Sequence, residues 1–104
     1  GLPTAALAAS RDLEVVGVDV DPAIVGKVNR GEIHIVEPGL AEAVREAVSA
    51  GRLRASLEPV PGDVYVVVVP TPFKGNHEPD VSYVEAATRS VVPLLKEDDL
   101  FVIE

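Results

Sequence analysis

The chain has 104 residues, of which 47% are hydrophobic and none is cysteine, and its formal net charge is -8. This length and apolar content fit one small folded domain, while the missing cysteines exclude disulfides, thiolate metal sites and a cysteine nucleophile. The acidic balance argues against a nucleic acid or a membrane surface as partner. No apolar run approaches the roughly 18 residues of a membrane span, and no ligand spacing predicts a metal site. We therefore expect a cytoplasmic protein.

The first third of the chain predicts a helix, a strand and a second helix. Residues 3–11 are rich in alanine and begin with a proline, which suits the first turn of a helix. Residues 15–18 are apolar and predict a buried strand. Asp21 followed by Pro22 is typical of a helix start with aspartate as the N-cap, and Gly31 ends that helix.

The middle of the chain continues this alternation. Residues 32–39 predict a loop that ends in a Pro-Gly turn. Apolar residues recur at helical spacing from Leu40 until Gly51 ends the run. Residues 53–57 predict a short strand, and residues 64–69 predict a buried strand because they are unbroken and mostly β-branched.

A helix and a strand are predicted in the last part of the chain. The helix covers residues 82–95, where Ser82 and Glu85 form a capping-box pattern. Pro93 is expected to kink or fray its final turn. Residues 100–104 predict a strand. Alternating helices and apolar strands favour an α/β fold with a parallel sheet, and a strand before the first helix would complete the alternation.

Gly1 and Asp19 are the first candidate functional residues, because their positions fit a dinucleotide-binding βαβ unit. A glycine at a helix start lets a pyrophosphate approach the helix N-terminus, and an acid about 20 residues further on binds the adenosine ribose. Asp21 competes for the ribose, but it already serves as the N-cap, so we assign this role to Asp19. An acid there would repel a 2′-phosphate, which predicts NAD rather than NADP. A helix-packing glycine and an ordinary strand-end aspartate would explain the same two residues.

The stretch Val69-Pro70-Thr71-Pro72 follows the strongest predicted strand. Ligands in open α/β sheets bind outside the carboxyl ends of the strands. The two prolines fix the loop, and Thr71 is the one side-chain donor between them. A rigid strand exit without a ligand fits these residues equally well.

Two further groups of polar residues predict no chemistry. His34 and His77 lie in predicted loops, where a single histidine is more often exposed than catalytic. Residues 97–99 form an acidic turn before the last strand, at its amino end. We expect that turn to be solvated surface, because ligands bind at the opposite ends of the strands.

Four stretches resemble the UDP-glucose/GDP-mannose dehydrogenase family. Residues 1–6 resemble the end of its G-x-G-Y-V-G-L-P motif, and residues 16–21 resemble its second strand with the ribose-binding acid. Residues 31–40 and 69–80 are more specific. Together they resemble the branch that oxidises UDP-N-acetyl-D-mannosamine to its uronic acid. The resemblance covers the whole chain.

This resemblance implies that residues 1–104 are a partial NAD-binding domain, with the central helix and the UDP-sugar domain absent. The implied fold is a Rossmann-like, doubly wound parallel sheet whose first strand is missing, so that both of its neighbours expose an unpaired edge. The implied reaction is the NAD-dependent oxidation of UDP-N-acetyl-D-mannosamine at C6, for surface polysaccharide biosynthesis, by an enzyme that is a homo-oligomer at full length. Because the family's nucleophilic cysteine is absent, we expect no turnover from this chain alone.

The resemblance also assigns residues to the NAD site. Gly1 falls on the last glycine of the phosphate loop, Asp19 on the ribose-binding acid and Thr71 on a threonine that lines the site. Glu104 falls just before the family's S-T-x-P-x-G segment. The predicted cofactor-binding residues are Gly1, Leu2, Asp19, Val69, Pro70, Thr71 and Glu104.

Two other functions stay open at this point. One is another nucleotide-sugar 6-dehydrogenase, acting on UDP-glucose or GDP-mannose. The other is a non-catalytic, receiver-like α/β module, which needs a phosphoacceptor aspartate at the end of a central strand. The strongest strand here runs into Val69, Pro70 and Thr71 without an acid, which disfavours the receiver-like module.

Overall fold

A computed structural model describes residues 1–69, 72, 74–76 and 78–104 of the chain. The chain forms two compact units, Gly1–Pro59 and Val60–Glu104. Each unit contains a two-stranded parallel sheet with helical segments packed against it. No helix in the described part of the chain has the length and apolar character needed to cross a membrane.

The first unit contains three helices and two strands. They are α1 (Leu2–Ser10), β1 (Val15–Val18), α2 (Pro22–Asn29), α3 (Leu40–Ser49) and β2 (Leu53–Ser56). β1 and β2 run parallel, with Val15 opposite Leu53 and Val18 opposite Ser56. The three helices and β2 share one apolar core. Its buried residues are Ala6, Ala9, Val28, Leu40, Val44, Ala47 and Leu53.

The start and the end of α2 follow the sequence prediction. The Asp21 carboxylate accepts the backbone N–H of Ala23 at 2.9 Å, and Pro22 is the first helical residue. The helix ends at Asn29, and Gly31 follows with a φ of 76°. A side chain at Gly31 would be strained by that φ and would meet the Cα of Arg45 at 3.4 Å. This glycine therefore allows the chain to leave α2 close to α3.

The second unit is built around a parallel pair of strands. Its elements are β3 (Val64–Val67), α4 (Ser82–Val91), a 3-10 turn (Val92–Leu94) and β4 (Leu100–Ile103). Val64 lies opposite Leu100 and Val67 opposite Ile103. Tyr65 is buried, and its hydroxyl accepts the N–H of Gly62 at 2.8 Å and donates to the carbonyl of Leu94 at 3.4 Å. Tyr65 thus links β3 to the 3-10 turn and to the residues that precede the strand.

The prediction of buried strands at residues 15–18 and 64–69 is correct for the strands but wrong for part of their burial. Tyr65 and Val67 are buried, but Val64 and Val66 are 57% and 48% exposed, and Val18 in β1 is 47% exposed. Successive side chains of a strand point to opposite faces. A β-branched run therefore predicts a strand, whereas its burial depends on what packs against each face. Strand β3 is also shorter than predicted and leaves Val69 outside the ladder.

The capping box predicted at the start of α4 is also wrong. Ser82 is the first residue of the helix, and its N–H donates to the Asp80 carboxylate at 2.9 Å. Asp80 thus accepts the N–H that Glu85 would accept in a capping box. The Glu85 N–H, which a Ser82 hydroxyl cap would accept, donates instead to the carbonyl of Val81 at 3.0 Å. The hydrogen bonds that Asp80 accepts from Ser82 lower the pKa of its carboxyl. The end of the helix does follow the prediction, since Pro93 lies in a 3-10 turn.

The acidic turn before β4 is solvated only in part. Asp98 is exposed, but the Asp99 side chain is only 5% exposed. Its carboxylate accepts the backbone N–H of Lys96 at 2.8 Å and lies 3.2 Å from the Lys96 ammonium group. This contact raises the pKa of Lys96. The prediction of solvated surface is therefore wrong for Asp99, because Lys96 supplies hydrogen bonds that replace those of water.

Candidate functional site

Gly1 and Asp19 lie at the same end of the first unit. Helix α1 has nine residues and β1 has four, so at standard rises both are about 13 Å long. The chain turns back between them, and the two elements pack against each other. The carboxyl end of β1 therefore returns to the level of the α1 N-terminus. The two residues that the sequence pairs for a dinucleotide therefore lie toward one end of the first unit.

The N-terminus of α1 offers backbone donors without competition from side chains. Gly1 is the N-cap and the first turn holds no acidic residue, and no side chain of residues 1–69, 72, 74–76 or 78–104 caps the helix. The first N–H groups of a helix have no partner within the helix and carry partial positive charge. Pro3 has no N–H, so Leu2 and Thr4 supply the donors. The Leu2 side chain packs against the core, which leaves its backbone N–H for an anion.

Asp19 follows β1 and is held through its backbone and its side chain. Its N–H donates to the carbonyl of Ser56 at 3.1 Å, which extends the β1–β2 pairing by one residue. Its Oδ1 accepts the N–H of Asp21 at 2.9 Å. The side chain is half-buried, and no hydrogen bond in the described part of the chain uses Oδ2. The carboxylate is therefore oriented and still able to accept donors from a ligand.

The remaining candidate residues belong to the second unit. Glu104 follows β4, and its N–H donates to the carbonyl of Val67 at 3.0 Å. Val69 lies two residues beyond β3. Because β3 and β4 are parallel, both residues lie at the carboxyl end of that sheet. Pro70 and Thr71 fall outside the described residues, so their predicted roles stay predictions.

The loop that follows these residues is held by backbone hydrogen bonds at its described positions. The N–H of Asp80 donates to the carbonyl of Pro72, and the N–H of Lys74 donates to the carbonyl of Glu78, both at 2.7 Å. His77 lies outside the described residues, whereas His34 is exposed on the loop before α3. Across the described ranges, no group of three potential metal ligands comes together.

The comparison with protein families decides what the chain is part of. The model of the UDP-glucose/GDP-mannose dehydrogenase family, NAD binding domain, matches residues 1–104. The chain belongs to this family. The predicted family and its cofactor, NAD, are thereby confirmed.

Two curated relatives match the full length of the chain. UDP-N-acetyl-D-mannosamine dehydrogenase from Escherichia coli K12 is 57% identical over 104 residues, which are 100% of this chain and 25% of that protein. NDP-N-acetyl-D-galactosaminuronic acid dehydrogenase from Ralstonia nicotianae is 55% identical over 104 residues, again 100% of this chain and 25% of that protein. The chain thus spans about a quarter of the length of these relatives.

Solved structures of the family share the fold. UDP-N-acetyl-mannosamine dehydrogenase from Staphylococcus aureus superposes with a TM-score of 0.96 at 37% identity, covering 100% of this chain and 26% of that one. GDP-mannose dehydrogenase from Pseudomonas aeruginosa gives 0.91 at 30% identity, covering 99% and 25%. The predicted α/β, Rossmann-like class is confirmed by these neighbours.

The described residues of the first unit fit a dinucleotide. Gly1 is the N-cap of α1, whose first backbone N–H groups have no side-chain cap among the described residues, as a diphosphate requires. Asp19 presents an oriented carboxylate, as a ribose diol requires. Sequence analysis missed Asn29, which bonds Ala55 of β2, the residue before the Ser56 that pairs with Asp19. An asparagine at a helix end is common, so no sequence signal marks it.

Proposed function

We propose that this chain is the NAD-binding part of an enzyme that oxidises UDP-N-acetyl-D-mannosamine at C6 to the uronate. The shared location of the α1 N-terminus and the Asp19 carboxylate carries the NAD part of the proposal. The similarity to the E. coli enzyme over all 104 residues supports the substrate. The partial domain over residues 1–104, with the central helix and the sugar domain elsewhere, belongs to the same proposal.

Each candidate residue has a defined task in this proposal. The N–H groups of Leu2 and Thr4 donate to the diphosphate, and Gly1 leaves space for it. The Asp19 carboxylate accepts the adenosine ribose hydroxyls and repels a 2′-phosphate. The resemblance to the family assigns Val69, Pro70, Thr71 and Glu104 to the NAD site as well. Bound NAD supplies the hydride acceptor, whereas the nucleophile lies outside a chain without cysteine.

The setting of the enzyme completes the proposal. We place it in the cytoplasm as a homo-oligomer that makes an activated sugar acid for surface polysaccharides. The family resemblance supports the oligomer and the biosynthetic role.

Binding of NAD to the intact protein tests the cofactor site. We expect Asp19→Asn to weaken NAD binding about tenfold or more in calorimetry, because the charged acceptor for the ribose is lost. Asp12→Asn is a matched control, since it makes the same change on a 90% exposed side chain just before β1. Equal NAD affinity of both variants would contradict the assignment of Asp19.

Turnover on a panel of nucleotide sugars tests the substrate. We expect two NADH per UDP-N-acetyl-D-mannosamine, as an oxidation from alcohol to carboxylate requires, and slower reduction with UDP-glucose or GDP-mannose. An N-acetylgalactosamine nucleotide is a second candidate, since the Ralstonia relative is 55% identical. Preference for that sugar would replace the first substrate while leaving the NAD site unchanged.

A further inference from the structure

Asn29, the last residue of α2, ties this end of the helix to the edge of β2. Its Nδ2 donates to the carbonyl of Ala55 at 3.0 Å, and its Oδ1 accepts the N–H of Ala55 at 2.8 Å. Both polar groups of one strand residue are therefore paired with a single side-chain amide. The amide occupies the place of a neighbouring strand on the edge of β2 that faces away from β1.

These two hydrogen bonds complete a closed path through Asp19. On one side, the Asp19 carboxylate accepts the N–H of Asp21, which starts α2. On the other side, the Asp19 N–H donates to the carbonyl of Ser56, the residue after Ala55. Asn29 links the two sides, because it joins the end of α2 to Ala55. A movement of α2 along β2 would therefore displace Asp19.

We propose that Asn29 is a positioning residue for the Asp19 carboxylate and, through it, for NAD binding. This inference rests on the proposed role of Asp19 at the ribose. Affinity improves when a binding group is held in its bound arrangement before the ligand arrives. Without the amide, Asp19 keeps its charge, but α2 is held less firmly against β2. Asp21 at the start of α2, whose N–H donates to the Asp19 carboxylate, is then less firmly held as well.

A double-mutant cycle on the intact protein tests whether Asn29 acts through Asp19. We expect Asn29→Ala to raise the Kd and the KM for NAD roughly threefold to tenfold, with kcat unchanged, as loss of one or two ordinary hydrogen bonds allows. In an Asp19→Asn background the same substitution has no further effect, because the group that it positions no longer binds as a charged acceptor.

Two variants of the same region serve as controls. Arg30→Ala changes the next residue, whose side chain pairs with Glu32 at 2.9 Å rather than with β2, and it leaves the Kd for NAD unchanged. Asn29→Gln keeps both the donor and the acceptor on a side chain that is one methylene longer. It gives a smaller loss than Asn29→Ala and keeps the test valid if Asn29→Ala unfolds the protein.

The outcomes separate this inference from the proposed function. A wild-type Kd for both Asn29 variants, or an equal loss in the presence and absence of the Asp19 carboxylate, overturns the role of Asn29 alone. An unchanged Kd for Asp19→Asn overturns the NAD site and the inference together. A lower melting temperature with unchanged NAD affinity shows a structural asparagine only.

Discussion

Asp19 and Asn29 show which parts of a site can be predicted from single residues. Asp19 could be proposed from the sequence because an acid at a strand end, about 20 residues after a helix-starting glycine, has a known chemical use. Asn29 was not, since its function depends on a pairing with Ala55, 26 positions away. The residues around Thr71 were assigned by resemblance, and that assignment stays a prediction.

The charge of Asp19 has a direct consequence for cofactor choice. We expect Asp19→Asn to reduce the preference for NAD over NADP at least about tenfold, because two like charges about 4 Å apart near a surface repel by about 4 kcal/mol. The ratio of the two dissociation constants, measured at constant ionic strength, checks this. Asp12→Asn should leave the ratio unchanged, and a similar fall for both variants would contradict the argument.

Asp80 is expected to make the start of α4 sensitive to acid. Its carboxyl has a lowered pKa, chiefly through hydrogen bonds with Ser82. A lowered pKa in the folded state stabilises the fold above the pKa of the unfolded chain, and this contribution is lost as the pH falls through the lowered value. As the pH rises from the acidic range, the protection of the Ser82 amide against hydrogen exchange should therefore increase in the wild type. The increase should be smaller in Asp80→Asn. Identical pH profiles, after correction for intrinsic exchange, would exclude this role.

The helices and strands show a different balance between local and tertiary information. α2 was predictable because Asp21 and Pro22 define its start within neighbouring residues. The burial of β3 was not, since the exposure of Val64 and Val66 depends on what covers each face. The start of α4 at Ser82 was predicted correctly, but its capping residue was not, because the Ser82 N–H donates to Asp80 rather than to Glu85. Local sequence signals thus predicted most helices and strands, whereas strand burial and helix capping depended on contacts that those signals do not contain.

The packing of α3 can be tested at Val44, which is 0% exposed. We expect Val44→Ala to lower the free energy of unfolding by about 2 kcal/mol, because it removes two methyl groups from an enclosed site. Urea denaturation measures the change. Val36→Ala removes the same atoms from a loop residue that is 102% exposed, and it should change the free energy by less than about 0.5 kcal/mol. Equal losses would contradict this account of the core.

At the scale of the whole molecule, both sheets have strand edges without a strand partner among the described residues. Within the described residues β1 pairs only with β2, and β3 pairs only with β4. An open strand edge presents backbone donors and acceptors to other chains. The outer edge of β2 differs, because Asn29 covers it at Ala55. Open edges next to exposed valines are therefore the main routes to self-association.

We expect the isolated 104-residue chain to self-associate as its concentration rises. A charged residue on β3 should reduce this self-association. Val66 is 48% exposed, so Val66→Lys adds a charge beside the open edge. Light scattering across a concentration series measures the association. Val36→Lys makes the same change on the loop before α3 and should not reduce it. Equal behaviour of both variants would exclude the β3 edge as the contact.

The positions of Tyr65 and the other aromatic residues decide which part of the chain optical spectroscopy reports. The sequence has two tyrosines, two phenylalanines and no tryptophan, and all four aromatic residues lie after position 60. Near-ultraviolet absorbance and intrinsic fluorescence therefore arise in the second unit alone. Far-ultraviolet circular dichroism reports the helices of both units. A melt in which the two signals separate would show directly that the units unfold independently.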